Sequence, residues 1–297
     1  MGKDLAERFA VARQVFEEAD DALGFAISKL CFEGPAEDLQ LTENTQPAIL
    51  ATSVAAFRAA RESGVPAPAF VAGHSLGEYS ALVAAGVLEL SDALQAVRAR
   101  GQYMQQAVPV GTGAMAAVIG GELSAIEAAC AEASGNQVCS VANSNSPNQV
   151  VIAGNTEAVD RAIELLKGVA KRVIKLNVSA PFHCALMKPA QEKLAAHLER
   201  LAFNEPQMPV VTNVDARITT APDELRDALL RQVSSPVRWT ESMQLLLGQK
   251  VDTFVEVGPG KVLSGLMRQT NREVRCLNVE DAASLEATLA ALAARDE

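Results

Sequence analysis

The stretch FVAGHSLGEYSALVAAG, residues 70–86, contains the pattern that decides the fold. Its first part is short and apolar, as in a buried strand, and its last part is rich in Ala and Leu and closed by Gly86, as in a helix. Ser75 lies between the two parts, flanked by Gly73 and Gly77. A strand that turns directly into a helix is typical of layered α/β proteins.

The residues Gly73 to Gly77 fit the motif G-x-S-x-G, in which a serine on a sharp strand-to-helix turn presents its hydroxyl. The helix that follows contributes the positive end of its dipole, and the Leu76 N–H lies where an oxyanion would develop. The alternative interpretation is a small residue in an ordinary tight turn. With a strand before the motif and a helix after it, the sequence favours Ser75 as a nucleophile.

A serine nucleophile needs a base within hydrogen-bond reach, and the sequence contains three histidines. His74 is adjacent to Ser75 and would point away along the strand. His197 lies in a polar-rich predicted helix, where a solvated histidine is the simplest interpretation. His183 lies in the Pro-containing loop SAPFHCALMKPA, and loops often carry functional residues. We expect His183 to be the base, with an ordinary surface histidine as the alternative.

Composition excludes several classes of protein. Of the 297 residues, 49% are hydrophobic and 21% are charged, which is typical of a soluble globular protein. Because the sequence contains neither an apolar run of about 18 residues nor a signal peptide, we expect a cytoplasmic protein with no membrane partner. The net charge of -10 argues against nucleic-acid binding. The odd number of cysteines without CxxC spacing indicates reduced thiols rather than disulfides or zinc ligands.

Helices and strands alternate around the Ser75 turn, which predicts a large α/β domain with a parallel sheet. Residues 114–178 follow another order, β-α-β-β-α-β, which is that of ferredoxin-like units. We therefore predict an α/β-hydrolase-like core formed by residues 1–113 and 179–297, with an inserted ferredoxin-like small domain at residues 114–178.

Several motifs, spread along nearly the whole chain, share one resemblance. In order they are GHSLGEYSALVAAG, RARGQYMQQAVPVGTGAM, SNSPNQVVIAG, SAPFHCALMKPA, PVRW and VEVGPGKVLSGL. Together they resemble the malonyl-CoA:acyl-carrier-protein transacylases, the acyltransferases of bacterial fatty-acid synthesis. Several independent motifs at compatible spacing make this resemblance far more specific than G-x-S-x-G alone.

The resemblance implies transfer of a malonyl group from coenzyme A to the thiol of acyl carrier protein. In such a reaction Ser75 attacks the thioester, His183 takes its proton, and the backbone carbonyl of Gln232 holds the imidazole in place of a carboxylate. The implied partners are malonyl-CoA and acyl carrier protein, and no cofactor is implied. A stand-alone polyketide acyltransferase, a serine thioesterase or hydrolase, and an inactive carrier-binding protein are the alternatives.

The residues that would bind the malonyl group come from the same resemblance. Helical periodicity places Arg98 and Arg100 at opposite edges of a buried stripe, so periodicity alone does not choose between them. The resemblance assigns Arg100 to the malonyl carboxylate, which a guanidinium can pair bidentately. Phe182 and Leu76 match positions that accompany malonyl rather than methylmalonyl units. For docking an acidic carrier protein, the candidate basic residues are Arg172, Lys175 and Lys188.

The sequence departs from the family pattern at its start. Family members begin with a buried strand and a GQGSQ-like loop, whose glutamine amide supplies the second oxyanion donor, and neither precedes the segment MGKDLAERF here. Such a donor is worth on the order of 3 kcal/mol. We therefore expect an N-terminally shortened form that is weakly active or inactive.

Overall fold

Helices occupy more of the chain than strands do on either side of the small domain. The structure is a computed structural model that describes residues 1–178 and 180–294. Its helices are α1 (Lys3–Arg8), α2 (Ala10–Leu23), α3 (Ile27–Glu33), α4 (Ala36–Gln40), α5 (Thr42–Glu62), α6 (Gly77–Ala84), α7 (Leu90–Gln106), α8 (Leu123–Ser134), α9 (Thr156–Leu165), α10 (Lys188–Leu198), α11 (Pro222–Gln232), α12 (Trp239–Gly248), α13 (Val262–Thr270) and α14 (Ala282–Ala293).

The strands are short in the large domain and longer in the small one. They are β1 (Val71–Ala72), β2 (Gly113–Ile119), β3 (Cys139–Ser146), β4 (Gln149–Asn155), β5 (Arg172–Lys175), β6 (Val210–Thr212), β7 (Arg217–Thr219), β8 (Thr253–Val257) and β9 (Arg275–Val279). None of the described helices combines the length and apolar character that crossing a bilayer requires.

The long helix α5 runs through the centre of the large domain. Most of its residues from Gln46 to Ala60 are buried, and alanines on several of its faces let neighbouring helices approach closely. It packs against α2, α7 and α6 and against the strand β8. Through its contact with α6, this helix supports the strand-to-helix turn at Ser75.

The strands of the large domain refine the predicted parallel sheet. Strand β1 pairs in parallel with β6, β6 pairs with β7 in antiparallel, and β8 pairs in parallel with β9. Apolar side chains from the group β1, β6 and β7 and from the pair β8 and β9 belong to the same two core clusters. The two groups of strands therefore share one core. Within the described residues, β1 and β8 each have a neighbouring strand on one edge only. Residues 1–70 contain no strand.

The small domain has the predicted element order. Strands β2 to β5 form an antiparallel sheet in the order β3-β4-β2-β5, covered by α8 and α9, which is the ferredoxin-like arrangement. A turn at Pro147 and Asn148 joins β3 to β4. The domain boundaries predicted from the sequence stay a prediction, and residues 179 and 295–297 lie outside the described residues.

Backbone hydrogen bonds join the two domains beside the Ser75 turn. The Val237 N–H donates to the Ala142 carbonyl at 2.9 Å, and the Ser144 N–H donates to the Val237 carbonyl at 2.9 Å. The end of β3 is thus paired with the segment that follows α11. The cysteines are free thiols, buried at Cys31, Cys130, Cys139 and Cys184 and half-buried at Cys276.

Candidate active site

Ser75 lies at the sharp turn between β1 and α6. Its backbone has φ of 51°, in the left-handed region that non-glycine residues seldom adopt. A Cβ added to Gly73 would lie 1.9 Å from the carbonyl oxygen of Gly77, so a glycine is required there. A Cβ added to Gly77 would meet no atom within 4 Å. The close approach of strand and helix that the motif requires therefore occurs at Gly73.

The structure brings Ser75, His183 and Gln232 together. Ser75 Oγ lies 2.7 Å from His183 Nε2, and His183 Nδ1 lies 2.9 Å from the carbonyl oxygen of Gln232. Because a carbonyl can only accept, Nδ1 carries the proton and Nε2 is free to accept one from the serine hydroxyl. The other histidines lie elsewhere: His74 Nε2 contacts Asn145 Oδ1 at 2.8 Å, and His197 lies half-buried on α10.

The surroundings of His183 keep its ring neutral. Burial, followed by the nearby positive charge of Arg100, lowers the pKa of His183 to about 3, although the hydrogen bond to the Gln232 carbonyl partly opposes both effects. The imidazole is therefore unprotonated at neutral pH. This is the form that can accept a proton from Ser75.

Arg100 lies on α7 with its guanidinium buried against the same turn. Its Nη1 donates to Gln46 Oε1 at 2.7 Å, and its Nη2 donates to Gln232 Oε1 at 2.9 Å and to Ser75 Oγ at 3.1 Å. Burial lowers the pKa of Arg100. Across the described chain, no carboxylate lies within ion-pair distance of this guanidinium. A buried cation held by neutral acceptors can receive an anionic ligand.

The neighbouring arginine points away from the site. Arg98 Nη1 donates to the Leu23 carbonyl at 3.3 Å, and its guanidinium lies 4.2 Å from the centre of the Phe25 ring. Helical periodicity left Arg98 and Arg100 as equal candidates, and their positions in the fold separate them.

The two apolar candidates are sequence neighbours of the catalytic pair, Leu76 directly after Ser75 and Phe182 directly before His183. Leu76 is buried and immediately precedes α6, so its N–H is at the positive end of that helix. Phe182 is half-buried and contacts both the main core cluster and a smaller cluster near β4. Their roles toward a substrate stay predictions.

Asn213 belongs to the site but was missed by the sequence analysis. Its Oδ1 accepts from the Ser75 N–H at 2.7 Å, and its Nδ2 donates to the Gly73 carbonyl at 2.7 Å. Asn213 directly follows β6, the parallel neighbour of β1, so both residues lie at the carboxyl edge of the sheet. That edge is where α/β proteins place their sites, and a polar residue directly after a second strand was the available signal.

The basic residues considered for carrier docking are exposed. Arg172 and Lys175 lie on β5, where Lys175 pairs with Asp160 at 2.5 Å, and Lys188 begins α10. Whether they act as one surface stays a prediction. Among the described residues there is also no group of three or more His, Cys, Asp or Glu side chains that could hold a metal ion.

Comparisons with known proteins give several extensive likenesses. Residues 1–296 match a family model described as an acyl transferase domain. The malonyl CoA-acyl carrier protein transacylase of Escherichia coli (strain K12) is 52% identical over 267 residues, which are 90% of this chain and 86% of that protein. An acyl carrier protein S-malonyltransferase structure from Vibrio cholerae matches with a TM-score of 0.95 and 52% identity, covering 97% of this chain and 94% of that one.

A further structure shows a relative with its partner. It contains a malonyl-transacylase in complex with its type II PKS acyl-carrier protein, and it matches with a TM-score of 0.94 and 49% identity, covering 97% of this chain and 94% of that one. Together the likenesses confirm the predicted α/β fold class and the family resemblance.

Proposed function

This chain belongs to the acyl transferase family, among its malonyl CoA-acyl carrier protein transacylases, and from that membership we propose that it moves a malonyl group from coenzyme A to the thiol of an acyl carrier protein. One observation of the site carries the proposal. Ser75 Oγ lies 2.7 Å from a neutral imidazole nitrogen and 3.1 Å from a buried guanidinium. A nucleophile, its base and a cation for the malonyl carboxylate therefore meet at one atom.

The first half of the reaction forms an acyl-enzyme. The malonyl carboxylate pairs with Arg100, which places the thioester carbonyl beside Ser75. His183 Nε2 takes the proton from Ser75 Oγ as the oxygen forms a bond to the thioester carbon. The Leu76 N–H donates to the oxyanion that develops. When the carbon–sulfur bond breaks, the coenzyme A thiolate takes the proton back from His183.

The second half repeats these steps with another thiol. The thiol of the carrier protein gives its proton to His183 and attacks the malonyl-Ser75 ester, and Ser75 leaves with that proton. Because an acyl group passes from one thioester to another, the exchange needs no redox group, and we propose that no cofactor takes part. The Gln232 carbonyl keeps the imidazole in the same tautomer through both halves.

The partners follow from the same reaction. We propose malonyl-CoA as donor, an acyl carrier protein of fatty-acid synthesis as acceptor, and a cytoplasmic location, which free cysteines fit. The likeness to a transacylase bound to a polyketide carrier makes a polyketide acceptor the second candidate. Parallel assays with a fatty-acid carrier and a polyketide carrier distinguish the two by which is malonylated faster.

Intact mass spectrometry after mixing with malonyl-CoA tests the proposal. We expect a malonyl adduct on the protein that Ser75→Ala abolishes, and transfer of the adduct when carrier protein is added. Ser80→Ala is the matched control, because Ser80 lies on α6 and its hydroxyl has no partner among the described residues. Release of free malonate without carrier malonylation would instead identify a thioesterase.

A further inference from the structure

Glu78 is a fully buried carboxyl group one turn after the nucleophile. It lies in the first turn of α6, with no exposed surface. Its Oε2 accepts hydrogen bonds from Gln232 Nε2 at 2.8 Å and from the Asn213 N–H at 3.1 Å. Its Oε1 has no hydrogen-bond partner within the described residues. Burying an acid side chain is costly, so a carboxyl in this position is expected to have a task beyond packing.

Both residues that donate hydrogen bonds to Glu78 also bind the backbone of Ser75. Gln232 Nε2 also donates to the Ser75 carbonyl at 2.9 Å, and Asn213 Oδ1 accepts from the Ser75 N–H at 2.7 Å. The strained backbone of Ser75 is therefore held at its N–H and at its carbonyl by the side chains of Asn213 and Gln232. Both residues are anchored on Glu78, Asn213 through its backbone N–H and Gln232 through its side chain.

Gln232 links this anchor to the rest of the site. Its backbone carbonyl orients His183, and its side-chain oxygen accepts from Arg100 Nη2 at 2.9 Å. Moving Gln232 would displace the imidazole and the guanidinium together. A single buried acceptor thus fixes the residue on which both the base and the carboxylate-binding cation depend.

We propose that Glu78 is a positioning residue for acyl transfer, whose Oε2 anchors Gln232 and Asn213 and through them aligns Ser75, His183 and Arg100. The inference rests on the proposed function for its substrates. The position of the Glu78 acceptor oxygen matters more than its charge, because both partners donate hydrogen bonds to that one oxygen. Burial also raises the pKa of Glu78 to about 7, while hydrogen bonds from Gln232 and Asn213 and the charge of Arg100 oppose that rise.

Three substitutions at Glu78 separate the effect of the acceptor oxygen's position from the effect of the charge. Glu78→Gln keeps an acceptor oxygen at the same distance but has no charge, whereas Glu78→Asp keeps the charge and withdraws the oxygen by about 1.5 Å, one carbon–carbon bond. Glu78→Ala removes both properties. Ser80→Ala on the same helix is the control for packing changes in α6.

The readouts are the rate at which a fluorophosphonate labels Ser75 and the ratio of rates with malonyl-CoA and acetyl-CoA. We expect Glu78→Gln to stay within about 3-fold of the intact protein in both, and Glu78→Asp and Glu78→Ala to lose about 10-fold or more in both. Thermal midpoints are measured in parallel, and folded Glu78→Asp supplies the comparison if Glu78→Ala does not fold.

Two results would overturn the proposal. One is a folded Glu78→Asp variant with unchanged labelling and unchanged malonyl preference. The other is a Glu78→Gln variant as impaired as Glu78→Asp, which would mean that charge is what matters. Labelling does not use malonyl-CoA, so it tests Glu78 even if the intact protein forms no malonyl adduct. Failure of the proposed function would show in that adduct, and failure of this inference would show in labelling.

Discussion

In the small domain, β2 pairs with β4 residue by residue from Gly113 to Ile119, and the sheet is covered by apolar faces of two helices. The turn at Ser75 is held differently. Its N–H and carbonyl bind side chains of Asn213 and Gln232, which lie 138 and 157 residues further along the chain.

The two regions therefore depend on different kinds of interaction. A ladder of backbone hydrogen bonds with an apolar face draws its stability from pairs of residues along its whole length. The Ser75 turn depends on a few polar atoms whose partners come from distant segments, and losing one partner leaves others unsatisfied. Substitutions at the turn should change activity more than stability, and substitutions in the small sheet should do the reverse.

The largest effect is expected for His183→Ala. Without the base, formation of malonyl-Ser75 should slow by about 1,000-fold, since positioned general bases contribute on that order. Intact mass spectrometry of reactions quenched at successive times gives the rate of malonyl-Ser75 formation. His197→Ala, on the half-buried face of α10, should leave the rate unchanged. A loss below about 10-fold for His183→Ala would mean that another group accepts the proton.

The next effect concerns substrate choice. Arg100→Ala should reduce the acylation rate with malonyl-CoA by about 10- to 100-fold relative to acetyl-CoA, because a charge-assisted pair with the carboxylate is lost. Competition between the two donors, followed by mass spectrometry of Ser75, measures the ratio. Arg98→Ala is the control, since Arg98 contacts Phe25 away from the site. An unchanged ratio in Arg100→Ala would show that the carboxylate binds elsewhere.

Two glycines offer a direct comparison of the regions. A Cβ at Gly73 would lie 1.9 Å from the Gly77 oxygen, and a Cβ at Gly154 would lie 2.0 Å from the Val138 oxygen. Each alanine variant should lose about 1–3 kcal/mol or more of unfolding free energy, measured with denaturant, because the backbone must move. Only Gly73→Ala should also lose Ser75 acylation in its folded fraction. Gly248→Ala, with open space around its Cβ, is the control.

If Gly154→Ala abolished acylation as fully as Gly73→Ala, the small sheet would be as much a part of the catalytic geometry as the turn. The contrast between the regions would then fail.

The smallest effect is expected from pH. His183, with a pKa of about 3, stays neutral from pH 7 to pH 5, so acylation by malonyl-CoA should change by less than about 2-fold. For an imidazole with an ordinary pKa of about 6.5, the neutral fraction would fall about 25-fold over this range. Glu78, with a pKa of about 7, titrates in the same window, and Glu78→Gln removes that contribution. A steep loss that persists in Glu78→Gln would contradict the neutral His183.

The sequence predicted the small domain well because each element is bounded by turn residues and has its own apolar period. Strands β7 and β9 carry weak sequence signals, because β7 is only three residues long and the alternation of β9, RCLNV, is interrupted by polar residues. The parallel sheet predicted for the core also proved to be mixed, since β7 returns antiparallel to β6.

For the site, the motif identified Ser75 and the loop favoured His183, while Arg100 and the Gln232 carbonyl came from family resemblance. Asn213, which directly follows a strand, had such a signal, but the other side chains that hold them were not predictable from local pattern. A glutamate in the first turn of a helix reads as a solvated residue, and Glu78 contacts Asn213 across 135 residues of chain. Long-range polar contacts of this kind leave no periodic trace in the sequence.

The pairing of Val237 with Ala142 and Ser144 has a consequence for motion. The two domains are joined beside the nucleophile by these backbone hydrogen bonds, so a hinge-like separation of the domains would have to break two of them. Substrates should therefore reach Ser75 with little change in the relative position of the two domains. Amide hydrogen exchange at Val237 and Ser144 should then be as slow as in the centre of the small sheet, and both should remain protected while the acyl group is transferred.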